Sequence, residues 1–447
     1  MVSAAEQLAS NLNFSAFAKA EDLKRRLWFT LGALIVYRLG TFIPMPGINP
    51  AAFAETFKSQ AGGILGMFNM FSGGALERLA IFALNIMPYI SASIIMQLMT
   101  SISPKLEALK KEGEAGRKQI NQYTRYLTVI LAALQAYGIA VGLEGSQNSA
   151  GAVVLEPGMF FRATTVITLV GGTVFLMWLG EQVTQRGVGN GTSLIIFAGI
   201  VAGIPGAIVQ LFELSRTGSI SPAILLFFIV LALAVVAAIV FCEQAQRRLL
   251  VQYPKRQVGN KMFQGEASHL PLKLNPSGVI PPIFASSLLL LPITVAQFTA
   301  GQGPEWLNTA VAMLGSGQPL HVAIYAAMII FFTFFYTAVV INPKETADNL
   351  RKYGGFLPGI RPGEKTAEYI DYVMTRITVV GALYLAAVCV LPEILTSYAG
   401  IPLYFGGTSL LIAVSVTMDT VSQIQGHLIA QQYEGLIKKA KLRGTRR

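Results

Sequence analysis

The side chains in this sequence that could do chemistry are mainly cations, and what they offer is recognition rather than bond making. In Phe356-Leu-Pro-Gly-Ile-Arg-Pro-Gly363, Pro358 and Pro362 stiffen a tight loop around Arg361. A rigid tip presenting one guanidinium suits a bidentate contact to carboxylate or phosphate. The alternative is that Arg361 only ties the loop to its own helix ends. A second basic stretch, from about Glu243 to Gly278, holds Arg247, Arg248, Lys255, Arg256, Lys261 and Lys273. Within it, Leu249–Tyr253 and Leu270–Leu274 read as strands, with Gly259-Asn260 as a turn signal between them. Such a hairpin is either a docking arm for an acidic partner or a solvated loop beside anionic lipid. Bond-making chemistry has no counterpart in the sequence. It contains no phosphate-cradling GxxxxGK[ST] and no recognisable set of nucleophile, base and orienting residue. Cys242 and Cys389 lie at or inside apolar runs without CxxC spacing, and read as small buried hydrophobes. His269, His321 and His427 are scattered, with no metal-site spacing. The expectation is a protein that is not an enzyme and carries no cofactor.

The elements that must position these cations follow from local signals and composition. Asn342-Pro-Lys-Glu345 supplies a helix-capping residue, a proline at the first helical position and an early glutamate. The spacing predicts a short helix to about Tyr353, stopped by Gly354-Gly355. The chain has 447 residues, is 53% hydrophobic and only 13% charged, and has a mean hydropathy of +0.55. Soluble chains carry ~25% charged residues, so this balance, with repeated long apolar runs, implies a polytopic helical membrane protein. The runs are continuous rather than alternating, which speaks against a transmembrane barrel.

Ten spans are expected, near 27–43, 79–100, 124–143, 160–180, 193–213, 222–242, 279–298, 321–341, 373–391 and 408–426. The last two contain Arg376 and Asp419 near their ends, where long side chains reach the interface. Assigning alternate loops to one side places 29 of the 34 Lys and Arg residues there, while Thr299 to Leu320 holds none. By the positive-inside rule both termini are cytoplasmic. Ten spans divide into five and five, which permits an inverted repeat. Gly138/Gly142 and Gly199/Gly203 have spacing that allows close helix packing. The N-terminus does not read as a cleavable signal peptide, because its first 18 residues lack a basic start and no small-residue cleavage site follows. Residues 8–23 fit an interfacial helix with Leu8, Leu12 and Leu23 on the membrane side.

Gly62–Ala75 stands apart. It is apolar, interrupted by glycines on both sides, and shorter than the ~20 residues a span requires. It reads either as a re-entrant, movable element inside a cavity or as an amphipathic helix on the membrane surface. Carboxylates inside the spans are scarce. Asp419 is the main one, toward the cytoplasmic end. An ion-coupled transporter places such groups near the midplane, so work across the membrane is expected to be driven from outside this chain.

A set of segments taken in order carries a family resemblance: Met67–Ala75, Met87-Pro-Tyr-Ile-Ser-Ala-Ser93, Lys111–Arg117, Gln122–Arg125, Trp178–Gln182, Arg186–Gly191, Ile283–Ser287, Asn342–Asn349, Pro358–Glu364 and Tyr404–Leu411. From about Leu23 to the tail the chain resembles the bacterial SecY family, the channel subunits of the Sec protein-conducting translocon. The resemblance implies an all-α fold of ten transmembrane helices in two pseudo-symmetric five-helix halves with a re-entrant plug. The implied division is a cytoplasmic segment 1–26, an N-terminal half 27–213, a C-terminal half 214–430 with cytoplasmic loops 243–278 and 342–372, and a basic tail 431–447. It also implies a multi-pass protein of the bacterial inner membrane, with a lateral gate between the second and third helices and the seventh and eighth. Signal sequences and nascent polypeptides would use that gate. The implied partners are the small subunits SecE and SecG, the SecA ATPase, the translating ribosome and anionic lipids.

Residue by residue, the resemblance assigns a plug to Gly62, Leu65, Met67, Phe68, Asn69, Phe71, Ser72 and Gly73. It assigns a pore ring to Ile86, Ile90, Thr192, Ile196, Ile283 and Ile412, and motor or ribosome contacts to Arg256, Lys261, Arg361, Arg351 and Lys352. The ring has a physical sense. Ile86/Ile90 and Thr192/Ile196 are i, i+4 pairs on one helix face, and stiff apolar side chains can close a pore by dewetting. Thr192 and Asn85 are polar departures from the family pattern, and the threonine hydroxyl would make the seal slightly wetter. Asn260-Lys261 replaces two arginines common in the family, which shifts the expected contact toward Arg256 and Arg361. The function implied is a passive, gated polypeptide channel. The rival classes are an ion-coupled secondary transporter of a small solute and a non-conducting membrane scaffold.

Overall fold

The computed structural model describes residues 20–60, 69, 71–144, 147–148, 151–218, 221–253, 256–258, 261–263, 267–298, 318–399 and 406–444. Lipid offers no partner for backbone N–H and C=O groups, so each apolar run closes its hydrogen bonds within itself as a helix. Among the described residues ten helices answer to the ten expected spans, nine of them closely and the second in part: α1 (Glu21–Gly40), α3 (Met87–Ile102), α5 (Glu114–Glu144), α6 (Met159–Arg186), α7 (Gly191–Arg216), α8 (Pro222–Gln244), α9 (Ile280–Phe298), α10 (Pro319–Val340), α12 (Glu364–Ala399) and α13 (Gly407–Gly444). Among the described residues shorter helices sit between them: α2 (Pro50–Gln60), α4 (Pro104–Lys111) and α11 (Pro343–Lys352). Among the described residues, six helices are long and apolar enough to cross a membrane by themselves. The lipid-facing character is plainest in α8, where Ile239 is the one buried side chain. Leu23, expected on the membrane side, is instead 1% exposed and packs with Ala20, Val188 and Leu428. Leu8 and Leu12 lie outside the described residues.

Starts and stops follow the sequence signals. Ser221 and Asn190 cap α8 and α7 through their side chains, and Pro222 and Pro319 occupy first-turn positions that need no N–H. The α6–α7 junction turns within five residues, and the two helices meet backbone to backbone. A Cβ on Gly191 would stand 1.9 Å from the Gly180 carbonyl oxygen.

The second expected span differs from the sequence reading. Helix α3 begins only at Met87, and residues 72–86 are turns joined to the rest by a bridge at Ala80 to Pro44. Leu79 and Asn85 have φ of +42° and +49°, and a left-handed residue cannot continue a right-handed helix. At 16 residues α3 is ~24 Å long, short of the ~30 Å hydrocarbon thickness. Ile43 and Met45, after α1, supply backbone partners to this stretch: Ile81 N–H donates to the Ile43 carbonyl at 3.0 Å and Met45 N–H to the Leu79 carbonyl at 3.0 Å.

The two long basic loops form one layer. Strand β1 (Gln147–Asn148) pairs with β2 (Gly151–Ala152) between α5 and α6; in the basic loops, strand β3 (Gln246–Gln252) pairs antiparallel with β6 (Ala267–Lys273), with Leu249 opposite Leu270. Beyond them β4 (Arg256–Val258) pairs with β5 (Lys261–Phe263), while Gly259-Asn260 lies outside the described residues. Helix α11 is capped by Asn342, whose Oδ1 accepts from Lys344 N–H at 3.2 Å and Glu345 N–H at 3.4 Å. The chain then returns to the hairpin, where Gln252 and Phe356 exchange backbone hydrogen bonds of 2.9 and 3.0 Å. Leu249, Val251, Leu272 and Leu357 pack with Ile370, Val373, Met374 and Ile377 on the first turns of α12.

This small core is what holds the hairpin and the Arg361 loop together. Ile370 is fully buried in it. Ile370→Ala should cost about 2–4 kcal/mol locally. We expect limited trypsin digestion at the exposed Arg351 and Lys352 to accelerate at least about tenfold, while the membrane helices stay protected. An unchanged digestion rate would mean that the layer is held by other contacts.

Candidate functional site

Four of the assigned ring residues, Ile86, Ile90, Ile196 and Ile412, are buried in one apolar cluster, and Ile283 packs against it half-buried. Each sits within the first two turns of its helix, or caps it: Ile86 and Ile90 on α3, Ile196 on α7, Ile283 on α9 and Ile412 on α13. Helices far apart in sequence therefore contribute to one core from their N-terminal turns. Thr192, the sixth assigned residue, is half-buried and its N–H donates to the capping Asn190 Oδ1 at 3.1 Å. Its backbone faces Gly180 of α6, where a glycine Cβ would come within 3.4 Å of Thr192 N.

Of the assigned plug residues, Gly62, Leu65, Met67 and Phe68 lie outside the described residues. Asn69, Phe71, Ser72 and Gly73 form a compact turn. Asn69 Oδ1 accepts from Glu77 N–H at 2.9 Å, and Asn69 Nδ2 donates to Glu77 Oε2 at 3.2 Å. Ser72 Oγ accepts from Leu76 N–H at 3.2 Å. The Phe71 ring is buried in the same cluster as the ring isoleucines. The turn also presses its backbone against α7. A Cβ on Gly199 would meet the Phe71 carbonyl oxygen at 2.4 Å, and Gly73, at φ +65°, would place one 3.0 Å from Gly199 Cα. Only glycine permits this approach at Gly199, and the left-handed conformation favours glycine at Gly73. The sequence reading marked Gly199 as a packing residue but did not pair it with Gly73.

Around this centre, α3 packs on α5, α9 on α10, and α9 against both α3 and α5. Helix α5 is fastened to α6 twice. Arg125 binds Glu181 through both carboxylate oxygens at 3.0 and 2.6 Å, and Arg162 binds Glu144 Oε2 at 2.9 and 2.6 Å. At ~1.5 Å per residue the two pairs are about 28 Å apart along each helix. The sequence reading missed both pairs. The shared interval, 125 to 144 and 162 to 181, was the available signal. It also missed Tyr37 and Arg38, whose side chains reach the plug turn from α1.

On the layer of basic loops Arg361, Arg351 and Lys352 are exposed. The Arg361 carbonyl accepts from Thr366 Oγ1 at 3.0 Å, so the backbone of the tip is tied to α12. Arg256 and Lys261 lie on the paired strands β4 and β5 at the far end of the hairpin. Asp419 is exposed on α13. Cys389 is buried in the main cluster and Cys242 is half-buried.

Comparison with known proteins places this geometry. The SecY family model matches residues 80–421. The chain is 56% identical over 431 residues to the protein translocase subunit SecY of Rickettsia felis, covering 96% of this chain and 99% of the relative. It is 56% identical over 424 residues to the corresponding Escherichia coli K12 subunit, covering 95% and 96%. A solved structure described as a protein-conducting channel aligns with a TM-score of 0.64 at 16% identity, over 91% of this chain and 92% of the other. A second, described in terms of the SecY plug domain and the closed state of the channel, aligns with a TM-score of 0.62 at 18% identity, over 91% and 92%. At such identities the structures speak to the fold, and the near-full-length sequence matches to descent. This multi-pass membrane chain belongs to the SecY family.

Proposed function

We propose that this chain is the pore-forming subunit of a protein-conducting channel of the bacterial inner membrane, with both termini cytoplasmic. It passes secretory polypeptides across the bilayer and releases membrane segments sideways into lipid. The observation that carries this reading is that Ile86, Ile90, Ile196 and Ile412 are buried with Phe71 of the plug turn in one larger apolar core, with Ile283 packed against it. A collar of aliphatic side chains offers no hydrogen bond to read a passing sequence, and it excludes water when closed. That suits a pore whose substrate is any extended polypeptide. A small-solute transporter would instead place polar or ionisable groups at such a centre.

In this reading a signal sequence enters between the α3/α5 pair and the α9/α10 pair. The α5–α6 hairpin, fastened at both ends, moves as a unit. The plug leaves, and the ring closes around the chain. Arg361, Arg351, Lys352, Arg256 and Lys261 dock the driving partner, either the SecA ATPase or a translating ribosome. Both are rich in carboxylate or phosphate, which a guanidinium grips bidentately. SecE and SecG are the expected small membrane subunits, and anionic lipids the expected neighbours of the basic cytoplasmic loops.

Two experiments test this. In a background lacking Cys242 and Cys389, single cysteines at Ile86, Ile412 and the lipid-exposed Leu233 (66% exposed) are probed against a precursor stalled during ATP-driven export. Adducts are expected at Ile86 and Ile412 and not at Leu233. Intact export with no adduct at either ring position would overturn the pore assignment. For the docking face, Arg361→Glu is expected to slow ATP-driven export about tenfold, equivalent to ~1.4 kcal/mol. Arg361→Lys should fall between, since it keeps the charge and loses the planar fork. Undiminished export by Arg361→Glu would move the docking site elsewhere.

A further inference from the structure

Three consecutive carbonyls of the plug turn are each held by a side chain from outside it. Asn85 Nδ2 donates to the Phe71 carbonyl at 2.6 Å, Tyr37 Oη donates to the Ser72 carbonyl at 3.3 Å, and Arg38 Nη1 donates to the Gly73 carbonyl. Tyr37 and Arg38 come from the end of α1, and Asn85 from the turn that leads into α3. We infer that Tyr37, Arg38 and Asn85 form a polar latch that positions the root of the plug and sets how often the idle channel opens. The inference rests on the reading of residues 62–75 as a plug.

The latch is built in an apolar surrounding. Tyr37 is 0% and Asn85 1% exposed, and the Tyr37 ring stacks on Phe82 with centroids 6.3 Å apart. The Arg38 guanidinium lies over the Phe42 ring at 5.0 Å, which fixes its direction. On the opposite side the turn meets the bare backbone of Gly199, so it cannot shift toward α7. A carbonyl in this environment has no water to turn to, so releasing one donor leaves both partners unsatisfied. The grip is on backbone atoms, so it is indifferent to the side chains of the plug.

Asn85 itself sits at φ +49°, so a glycine can take its place without moving the turn.

The test is the ion conductance of the purified, assembled channel complex in planar bilayers, with no precursor or motor present. Asn85→Gly removes the donor yet keeps a residue at ease with positive φ, and Tyr37→Phe removes one hydroxyl. Each is expected to raise the idle open probability several-fold. Together they should raise it less than the product of the two, because both hold one short segment. The melting temperature of each complex is read in parallel and should stay within a few degrees of the parent, which a general packing defect would not allow. Deletion of residues 62–75 is the control arm. If deletion leaves the idle conductance unchanged, the plug reading itself fails. If deletion raises conductance while both single variants match the parent, the latch is overturned and the plug reading stands. A fully multiplicative double variant would also overturn the shared grip.

Discussion

The constraint on which this molecule depends is the demand of lipid that every backbone N–H and C=O find a partner in protein. For most of the chain the answer is a helix. Between Ser72 and Ile86 the backbone is not helical, although it lies among the membrane helices. That stretch exists only because other parts of the chain complete it. The strand-like segment after α1 supplies backbone partners to Leu79 and Ile81, the end of α1 brings Tyr37 and Arg38, and Asn85 reaches back to Phe71 from within the stretch. A channel needs a piece that can leave its place without unravelling a helix. A turn held from outside by side chains is such a piece, because its bonds can be exchanged one by one for water.

The apolar centre and the layer of basic loops are built differently. Ile86, Ile90, Ile196 and Ile412 enter one apolar core from three helices that are well separated in sequence, so no single helix builds it. The layer of basic loops is local instead. Its hairpin, α11 and the start of α12 share a compact core of their own, and the Gln252–Phe356 bonds join the two loops into one body. A force applied at the Arg361 tip is therefore delivered to α12 rather than lost in a mobile loop.

The charged pairs between α5 and α6 lie near the two ends of the stretch over which these helices run side by side. They are partly exposed, so each adds little stability by itself. Their placement at two levels makes the pair of helices resist both sliding and splaying.

Much of this was legible in the sequence. Composition and the length of the apolar runs determined a ten-helix membrane protein, and the Asn342-Pro start and Gly354-Gly355 stop determined α11, because caps and periodicity act within a few residues. The family motifs determined which isoleucines to watch. The tertiary structure decided the rest. Periodicity reads Leu79–Thr100 as one span, since the run is apolar throughout. The break before Met87 comes from left-handed residues and from hydrogen bonds to a segment more than thirty residues earlier. Leu23 reads as a lipid-facing residue until Leu428 is folded against it. Asn85 reads as an intrusion into an apolar run, and only the arrival of Phe71 across the fold gives its amide a purpose. A single sequence records which residues are apolar and where a helix can start. It does not record which distant carbonyl a buried donor will find.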